Sequence, residues 1–371
     1  MMNILACTSS DCSFNSLRPE HEIYISLAKA GHSVSIITHK DAPYKELFIN
    51  NNIDVIEQPV TKKLSLKSIR LIRQTIKNKS IDIVYATNSK SIPNAAFACI
   101  GTPAKLVAYR GTASGLYWHD PGSYLGTLHP RVDGIICVSK YVYNYVASKK
   151  ILKNKKIISI YKGHDLSWYD KKPADLNEFG IKQSDFTAIC VTNARPHKGI
   201  HIALQATNKL AEIENFHLLL VGNGMNKEPY NSLINNSKMK QRIHLAGYRN
   251  DAPELISASD ILIQPSISGE GLPRVVLESM AYGTPVVASA NPGSMEIIDN
   301  GINGCIVAVG DSDAIANKVQ ELHDSPELLK SLSVSSPKVL LGKMSHTRTV
   351  EHYINYFESL LENGKARKLK L

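Results

Sequence analysis

The sequence lacks any apolar run long enough to cross a membrane. A transmembrane helix requires about 20 mostly apolar residues, and no comparable stretch occurs among the 371 residues. The opening apolar run, Met1–Cys7, is also shorter than the hydrophobic region of a secretory signal peptide. We therefore expect a cytoplasmic chain with no transmembrane segment.

Cysteine is scarce and scattered along the chain. None of the six cysteines stands in a C-x-x-C pair, the spacing shared by structural zinc sites and thiol redox motifs. Several lie in apolar, strand-like runs, where a reduced thiol behaves as a small hydrophobic residue. The pattern argues against a disulfide framework and predicts buried, reduced thiols.

The chain also lacks the basic segments with interleaved aromatic residues that are typical of nucleic-acid platforms, so we expect no nucleic-acid partner. Its net charge is nevertheless +10, which favours an anionic partner. Much of the excess lies on or beside one predicted helix, whose apolar face carries Ile69, Ile72 and Ile76. Such a helix can lie on anionic lipid of the inner membrane, or it can pack on the core with its basic face solvated. The cationic residues are Lys62, Lys63, Lys67, Arg70, Arg73, Lys77 and Lys79.

Short apolar strands alternate with helical patterns over most of the sequence, and the alternation begins twice. This order predicts the α/β class, with two doubly wound parallel sheets. The two series of predicted strands are Asn3–Cys7, Ser33–Thr38, Ile53–Glu57, Ile81–Ala86, Lys105–Tyr109, Gly134–Val138 and Ile157–Ile160, then Thr187–Val191, His217–Val221, Ile243–Ala246, Ile261–Gln264, Pro285–Ala288 and Gly304–Val307.

The same pattern divides the chain into three predicted segments. We expect an N-terminal domain over 1–165, a second domain over 166–345 and a C-terminal helix over 346–371. The polar stretch Tyr161–Gly180 is interpreted as the linker. A long helical pattern follows Pro337, and no strand comes after it, so the helix must pack on an existing domain.

A run of polar and apolar residues near position 270 predicts an anion site. Glu270 precedes Pro273, which suits the first turn of a helix because its φ is preset and it needs no N–H there. Glu278 falls inside that helix, and Gly283 suits its C-terminal end. Free N–H groups at a helix N-terminus favour phosphate. The spacing of the two glutamates alone favours an ordinary helix with an exposed glutamate at each end.

Cations and glycines follow other predicted strands of the second series. Arg195 and Lys198 stand in a strand–loop–helix segment, where their charges suit a diphosphate. Gly222 and Asn223 form a glycine-rich turn after the next strand, and glycine there lets a ligand approach the backbone. Each motif is weak alone. Asp311-Ser312-Asp313 looks like a metal-binding Asp-x-Asp motif but precedes a helix, so we interpret it as a cap.

Taken together, these motifs resemble the group 1 class of retaining glycosyltransferases with the GT-B fold, in which two Rossmann-like domains face each other across a cleft. The resemblance covers roughly residues 187–322. It is carried by Arg195, Lys198, Gly199, Gly222, Asn223, Gly224, Gly247, Tyr248, Ser266, Glu270, Gly271, Glu278, Ser279, Met280, Ala281, Gly283, Thr284, Pro285, Gly301, Asn303 and Gly304.

The resemblance implies a role for each matching residue. Arg195 and Lys198 would bind the donor diphosphate, Glu278 would hold the ribose hydroxyls, and Glu270 would lie beside the transferred sugar. Arg195, Lys198 and Glu270 are thus the catalytic candidates. No metal and no cofactor would then be needed beyond a UDP- or GDP-linked sugar substrate. The remaining donor-binding candidates are Gly271, Leu272, Pro273, Arg274, Gly222, Asn223, Gly247 and Tyr248.

The sequence departs from the family pattern at two places. Relatives often read Glu-Gly-Phe-Gly-Leu where this chain has Pro273 and Arg274. In the N-terminal half, the loop that often holds a histidine begins Arg110-Gly111-Thr112, which we assign to the acceptor side. His119 and His129 lie downstream, and His119 is the candidate catalytic histidine; a lone histidine is more often structural.

The sequence thus predicts a metal-independent, hexosyltransferase-type enzyme that transfers a sugar with retention to a lipid-linked or saccharide acceptor. The expected setting is the synthesis of bacterial cell-surface glycan, such as lipopolysaccharide, capsule or glycolipid, with peripheral contact to the inner membrane. Two alternatives stay open. One is a non-catalytic nucleotide-sugar binder, and the other is a nucleotide-sugar epimerase on the same fold.

Overall fold

The computed structural model describes residues 1–8, 14–117, 119–169 and 172–368, with the side chains of 14–16 and 363–368 left aside. The chain divides into two compact units. The N-terminal unit comprises Met1–Gly163 together with the segment from His346 onward, and the C-terminal unit comprises His164–Ser345.

The N-terminal unit is built on a seven-stranded parallel sheet in the order β3-β2-β1-β4-β5-β6-β7. The chain moves outward from β1 in one direction and then returns to add β4 on the other side, which is the doubly wound arrangement. The strands are β1 Asn3–Cys7, β2 Ser33–Ile37, β3 Asp54–Ile56, β4 Ile83–Ala86, β5 Lys105–Arg110, β6 Val132–Cys137 and β7 Lys156–Ser159. The helices before the C-terminal unit are α1 Phe14–Lys29, α2 Lys45–Asn50, α3 Leu66–Asn78, α4 Ser91–Cys99, α5 Pro121–Leu125 and α6 Lys140–Ala147.

The C-terminal helix, α14 (His346–Lys368), completes the core of this unit. Tyr353 is fully buried, and its hydroxyl lies 2.9 Å from that of Tyr85 in β4. Gly134 in β6 leaves room for the Tyr356 hydroxyl, which a Cβ would meet at 2.2 Å. Through these contacts, a helix distant in sequence forms part of the hydrophobic core of the N-terminal unit.

A buried ion pair in the N-terminal unit joins α1 to the segment after β7. Lys162, after β7, donates to Oε2 of Glu20 in α1 at 2.5 Å, while Thr8 and Tyr24 donate to Oε1 at 2.9 and 2.8 Å. Burial raises the pKa of Glu20, but the Lys162 ammonium and these hydrogen bonds outweigh it and lower the pKa to about 2. The ionised carboxylate therefore stabilises the folded state.

We predict that Glu20→Gln lowers the free energy of unfolding by about 3 kcal/mol at neutral pH, because Lys162 loses its counter-ion in a buried position. Since the pKa of Glu20 is lowered from 4.5 to about 2, the stabilisation is complete above pH 4.5. It is lost as the pH falls toward 2, so the difference from the wild type narrows in acid. Urea unfolding followed by circular dichroism measures the free energy of unfolding of the variant and of the wild type at each pH.

The matched control is Glu22→Gln on the same helix, because Glu22 faces Arg18 at 3.7 Å in a partly exposed pair. Such pairs contribute about 1 kcal/mol or less. Equal losses for the two variants at neutral pH would contradict the assignment of a stabilising role to the Glu20 pair.

The C-terminal unit contains a six-stranded parallel sheet in the order β10-β9-β8-β11-β12-β13. Its strand order reverses between β8 and β11, which places the loops after these two strands side by side. The strands are β8 Phe186–Val191, β9 Phe216–Val221, β10 Ile243–Gly247, β11 Ile261–Gln264, β12 Val286–Ser289 and β13 Cys305–Val307. The helices are α7 Ile200–Lys209, α8 Tyr230–Asn235, α9 Ala252–Ser257, α10 Arg274–Tyr282, α11 Pro292–Ile297, α12 Ser312–Asp324 and α13 Pro326–Met344.

The predicted fold class is confirmed, and each of the thirteen predicted strands has a counterpart in the described chain. Prolines lie inside two helices. Helix α1 begins at Phe14 and contains Pro19. The long helical pattern after Pro337 is two helices, because α13 contains Pro337 and ends at Met344, and α14 begins at His346. One helix start was predicted wrongly. Helix α10 begins at Arg274, and Pro273 is its N-cap in an extended conformation.

The stretch interpreted as a linker contains the boundary between the two units and some local structure. Short 3₁₀ helices occupy Leu166–Tyr169 and Leu176–Phe179, and Trp168 is buried. Arg249 joins Glu178 to Asp251 through hydrogen bonds of 2.7 to 2.9 Å. Polar composition resembled a linker because these contacts between polar side chains leave no hydrophobic pattern.

The sequence predicts no transmembrane segment, and it predicts buried, reduced cysteine thiols. None of the helices in the described residues has both the length and the hydropathy needed to span a bilayer. Cys7, Cys99, Cys137, Cys190 and Cys305 are free and buried, which confirms the prediction for these five. The sixth, Cys12, lies outside the described residues.

Candidate functional site

The loops after β8 and β11 are joined through their backbones. The Ile267 amide donates to the His197 carbonyl at 2.8 Å. Gly199 has a φ of +70°, and a Cβ there would lie 2.0 Å from the carbonyl oxygen of Pro265. Glycine is therefore required at this position by both conformation and space. The close approach fixes Lys198 opposite the chain that leads to Glu270.

Glu270 is buried and accepts three hydrogen bonds at the same oxygen. Its Oε1 receives Lys198 Nζ at 2.6 Å, Ser266 Oγ at 2.7 Å and Gln264 Nε2 at 3.0 Å. Only 8% of Glu270 is exposed. No donor from the described part of the chain reaches its Oε2. The carboxylate is thus held in a fixed position by one cation and two neutral donors.

A cavity of about 290 Å³ lies beside this carboxylate. It is lined by residues of the loop after β8, the end of β11 and the start of α10. These are Val191, Thr192, Asn193, Arg195, Lys198, Gln264, Glu270, Pro273, Arg274 and Val275. Five of the residues predicted from the sequence therefore line one cavity: Arg195, Lys198, Glu270, Pro273 and Arg274.

The N-terminus of α10 contributes partial positive charge to this cavity. Its N-cap, Pro273, makes no side-chain capping bond, unlike Asn291 and Asp311, which cap α11 and α12 with bonds of 3.0 and 2.8 Å. Uncapped N–H groups and the helix dipole favour an anion. Together with Arg195 and Lys198, the helix start makes an electropositive cavity suited to phosphate groups.

Glu278 is buried in α10 one helical turn beyond Arg274. Arg274 Nε lies 3.0 Å from Glu278 Oε1. Burial raises the pKa of Glu278, Arg274 opposes this, and the Glu254 carboxylate adds to it. Arg274 lines the cavity and also pairs with Glu278, whose carboxylate does not line the cavity. The pattern of an arginine four residues before a glutamate could have indicated this pair from the sequence.

The other predicted donor-binding residues lie around the cavity without lining it. The Gly222 amide donates to the Gly247 carbonyl at 2.7 Å, and the Asn223 amide donates to Asn193 Oδ1 at 3.1 Å. These bonds join the loops after β8, β9 and β10. Tyr248 is 55% exposed, and Gly271 and Leu272 connect Glu270 to Pro273. The donor-binding roles of these residues stay predictions.

The predicted residues of the N-terminal unit only partly come together. Arg110 and Gly111 line a cavity of about 500 Å³, whereas Thr112 and His119 do not. His119 is exposed and stacks on Tyr117. His129 is half-buried against Phe97, and burial lowers its pKa. The N-terminal unit therefore gives His129 a structural setting and places His119 on the surface.

Gln264 and Ser266 are site residues to which the sequence analysis gave no role, although Ser266 is among the residues that carry the resemblance. Both are buried and both donate to Glu270. The available signal was a polar residue at the end of the apolar strand Ile261–Gln264. A glutamine at the carboxyl end of a buried strand indicates a site at that edge of the sheet.

Asp311 caps helix α12 through the Ala314 amide, as predicted. Its neighbour Asp313 contacts Lys209. Within the described residues, no group of three or more histidine, cysteine or acidic side chains is arranged to hold a metal ion. The Asp311-Ser312-Asp313 motif is therefore accounted for by helix capping.

Comparison with known proteins places this geometry in a family. The model of the glycosyl transferases group 1 matches residues 171–339, and that of glycosyltransferase family 4 matches residues 21–168. Each match falls almost wholly within one unit of the fold. The chain belongs to the group 1 class of glycosyltransferases, and its parallel-sheet units are those of the GT-B fold.

Individual relatives agree with this assignment. The chain is 30% identical to the putative glycosyltransferase EpsD of Bacillus subtilis over 190 residues, which are 51% of this chain and 49% of that protein. It is 24% identical to the N-acetyl-alpha-D-glucosaminyl L-malate synthase of Bacillus anthracis over 92% of this chain and 93% of that one. The chain thus spans about half of the first relative and nearly all of the second.

Solved structures show the same fold. A glycosyltransferase from Rickettsia africae has a TM-score of 0.83 at 21% identity, covering 98% of this chain and 99% of that one. Anabaena HepE in complex with UDP and glucose has a TM-score of 0.79 at 20% identity, covering 97% and 100%. At these identities the likeness establishes the fold.

We predict that Gly199→Ala lowers the melting temperature more than an alanine at an open position does, because a Cβ at this position meets the Pro265 carbonyl and separates Lys198 from Glu270. The matched control is Gly310→Ala, which has a similar φ of +81° but no atom within 4 Å of the added Cβ. The control carries only the conformational cost of about 1–3 kcal/mol. Differential scanning fluorimetry measures the melting temperatures of both variants and of the wild type.

Equal melting temperatures for Gly199→Ala and Gly310→Ala would contradict the claim that the loops after β8 and β11 approach closely at Gly199.

Proposed function

We propose that the chain is a retaining glycosyltransferase that moves a hexose-type sugar from a UDP- or GDP-linked donor to an acceptor hydroxyl. The observation that carries the proposal is the cavity where Arg195, Lys198, Glu270 and the uncapped start of α10 meet. In the reaction the bond from the anomeric carbon to the diphosphate breaks and a bond to the acceptor oxygen forms. The proton of the acceptor hydroxyl leaves with the diphosphate.

The charges of the cavity account for the leaving-group chemistry. Negative charge develops on the diphosphate as the glycosidic bond breaks, and fixed cations and N–H groups stabilise it without reorganisation. Arg195 offers paired donors and Lys198 a compact charge. We assign the diphosphate to these two residues and the start of α10, the ribose hydroxyls to Glu278, and the transferred sugar to the neighbourhood of Glu270.

The names of relatives support the wider setting. The chain is similar to a lipopolysaccharide core biosynthesis glycosyltransferase of Rhizobium meliloti, and to an Escherichia coli galactosyltransferase named for a UDP-Gal donor and a diphosphoundecaprenol-linked acceptor. We therefore propose that the acceptor is lipid-linked or a saccharide and that the chain takes part in bacterial cell-surface glycan synthesis. We also propose that it acts at the cytoplasmic face of the inner membrane. The N-terminal unit is proposed to bind this acceptor.

We predict that Lys198→Ala slows sugar transfer by about a hundredfold, the usual effect of losing one donor to developing charge. Lys209→Ala is the matched control, because Lys209 is 47% exposed and contacts Asp313 away from the cavity. Transfer from a panel of radiolabelled UDP- and GDP-sugars to a membrane extract measures the rate. Full turnover by Lys198→Ala would rule out its diphosphate role.

The same assay separates the enzyme from its alternatives. Transfer, or slow hydrolysis of the donor, supports the glycosyltransferase. Binding without turnover supports a nucleotide-sugar binder, and conversion of the donor into its epimer supports an epimerase.

We predict that Glu278→Ala weakens UDP binding by about tenfold to a hundredfold, because two ribose hydroxyls lose a charged acceptor. Glu212→Ala, at an exposed position of the same unit, should leave the affinity unchanged. Isothermal titration calorimetry with UDP measures the dissociation constants. An unchanged dissociation constant for Glu278→Ala would show that the ribose binds elsewhere.

We predict that transfer continues after exhaustive dialysis against EDTA, because Arg195, Lys198 and the start of α10 supply the positive charge that a divalent ion would otherwise provide. The initial rate is compared before dialysis, after it and after addition of manganese or magnesium. Activity that is abolished by EDTA and restored by manganese would contradict the metal-independent assignment.

A further inference from the structure

The donors that hold Glu270 come from two different segments of the C-terminal unit. Lys198 belongs to the loop after β8, whereas Gln264 and Ser266 lie six and four residues before Glu270, where β11 ends. The first donor is a cation on a long, flexible side chain, and the other two are neutral groups. The two segments therefore act on the carboxylate with different chemistry and from different sides of the sequence.

Gln264, Ser266 and Glu270 form a closed ring of hydrogen bonds. Gln264 Nε2 donates to Ser266 Oγ at 2.9 Å and to Glu270 Oε1 at 3.0 Å, and Ser266 Oγ donates to Glu270 Oε1 at 2.7 Å. A side-chain amide carries two donor hydrogens and a hydroxyl carries one, so the ring uses all three. Only 3% of Gln264 and 1% of Ser266 are exposed, so water competes little for these bonds.

The backbone that carries the ring is fixed in place. Pro265, between Gln264 and Ser266, has a φ that is preset by its own ring. The next residue, Ile267, donates its amide hydrogen to the His197 carbonyl at 2.8 Å. The two side chains therefore extend from a rigid backbone, which is what a group that orients another group requires.

Lys198 faces two anions once a diphosphate enters the cavity. Its ammonium lies 2.6 Å from Glu270 Oε1, and both residues line the cavity beside the start of α10. Because the proposed function assigns the diphosphate to Lys198, the phosphate oxygens compete with the Glu270 carboxylate for the same positive charge. The lysine stem has several rotatable bonds, so the ammonium can shift toward the phosphates without movement of the backbone.

The hydrogen-bonded ring supplies what Glu270 needs when the ammonium is shared. A buried carboxylate that loses its counter-ion is costly unless hydrogen-bond donors remain. Gln264 and Ser266 keep two donors on Oε1 and, being neutral, leave the charge of Lys198 to the diphosphate. Oε2, which no donor from the described chain reaches, then keeps its place for a hydroxyl of the transferred sugar.

We propose that Gln264 and Ser266 are positioning residues for sugar transfer, which hold Glu270 in place while Lys198 stabilises the diphosphate. The inference rests on the proposed function and adds two residues that act through Glu270. Because Glu270 is assigned to the transferred sugar and not to the nucleotide, the two residues govern the rate of transfer and leave the affinity for UDP unchanged.

The kinetic test compares Ser266→Ala and Gln264→Leu with the wild type in the transfer assay. We expect kcat to fall about tenfold or more for each variant, because a small displacement of a positioned group is costly. The dissociation constant for UDP should stay within about twofold of the wild-type value. Ser266→Thr, which keeps the hydroxyl, should recover most of the rate.

The matched control is Ser259→Ala. Ser259 is a buried serine of the same unit, and its hydroxyl donates to the Leu255 carbonyl at 2.9 Å. This variant should keep the wild-type kcat. Unchanged kcat for both Ser266→Ala and Gln264→Leu would overturn the proposal, and so would a loss of UDP affinity as large as the loss of kcat. Melting temperatures show whether each variant is folded.

A structural arm tests the proposal without any sugar transfer. Crystal structures without ligand are determined for Lys198→Ala and for the same variant combined with Gln264→Leu and Ser266→Ala. We expect Glu270 Oε1 to stay within hydrogen-bond distance of Ser266 Oγ and Gln264 Nε2 in Lys198→Ala, and the carboxylate to move in the combined variant. A carboxylate that moves in Lys198→Ala alone, or that stays in the combined variant, would refute the positioning role.

The two arms separate this inference from the proposed function. A wild type that transfers no sugar contradicts the proposed function. If Glu270 nevertheless keeps its place in Lys198→Ala and moves in the combined variant, the positioning of Glu270 by Gln264 and Ser266 is supported independently of the reaction.

Discussion

The ion pair between Lys198 and Glu270 is the contact on which the candidate donor site depends. It joins the loops after β8 and β11, which adjoin because the strand order of the C-terminal sheet reverses between them. The pair keeps a cation next to the uncapped start of α10 and a carboxylate next to the cavity. Gly199 makes the close approach possible, since any larger residue would collide with Pro265.

The fold could be predicted from the sequence because the apolar patterns that indicate strands and helices are local and periodic. Each buried strand is a short apolar run, and each run was recognisable without knowing its partners. The boundary errors arose where tertiary contacts outweigh local rules. Pro19 and Pro337 lie inside helices that local propensity would end, and the polar segment before Gly180 is packed by contacts such as those of Arg249.

The site was predicted only where a motif marked it. Arg195, Lys198, Glu270, Pro273 and Arg274 were identified from motifs that are weak alone and from the family resemblance that these motifs carry together, and they line one cavity. Gln264 and Ser266 received no role because each acts through a hydrogen bond to Glu270, which no spacing rule describes.

The central claim is that a diphosphate binds between Arg195, Lys198 and the N-terminus of α10 without a divalent ion. The most direct test is a crystal structure of the chain with UDP, grown in the presence of EDTA. The account predicts β-phosphate oxygens within hydrogen-bond distance of the Lys198 ammonium, the Arg195 guanidinium and the first amides of α10. A diphosphate bound away from these groups, or none bound until manganese is added, would contradict it.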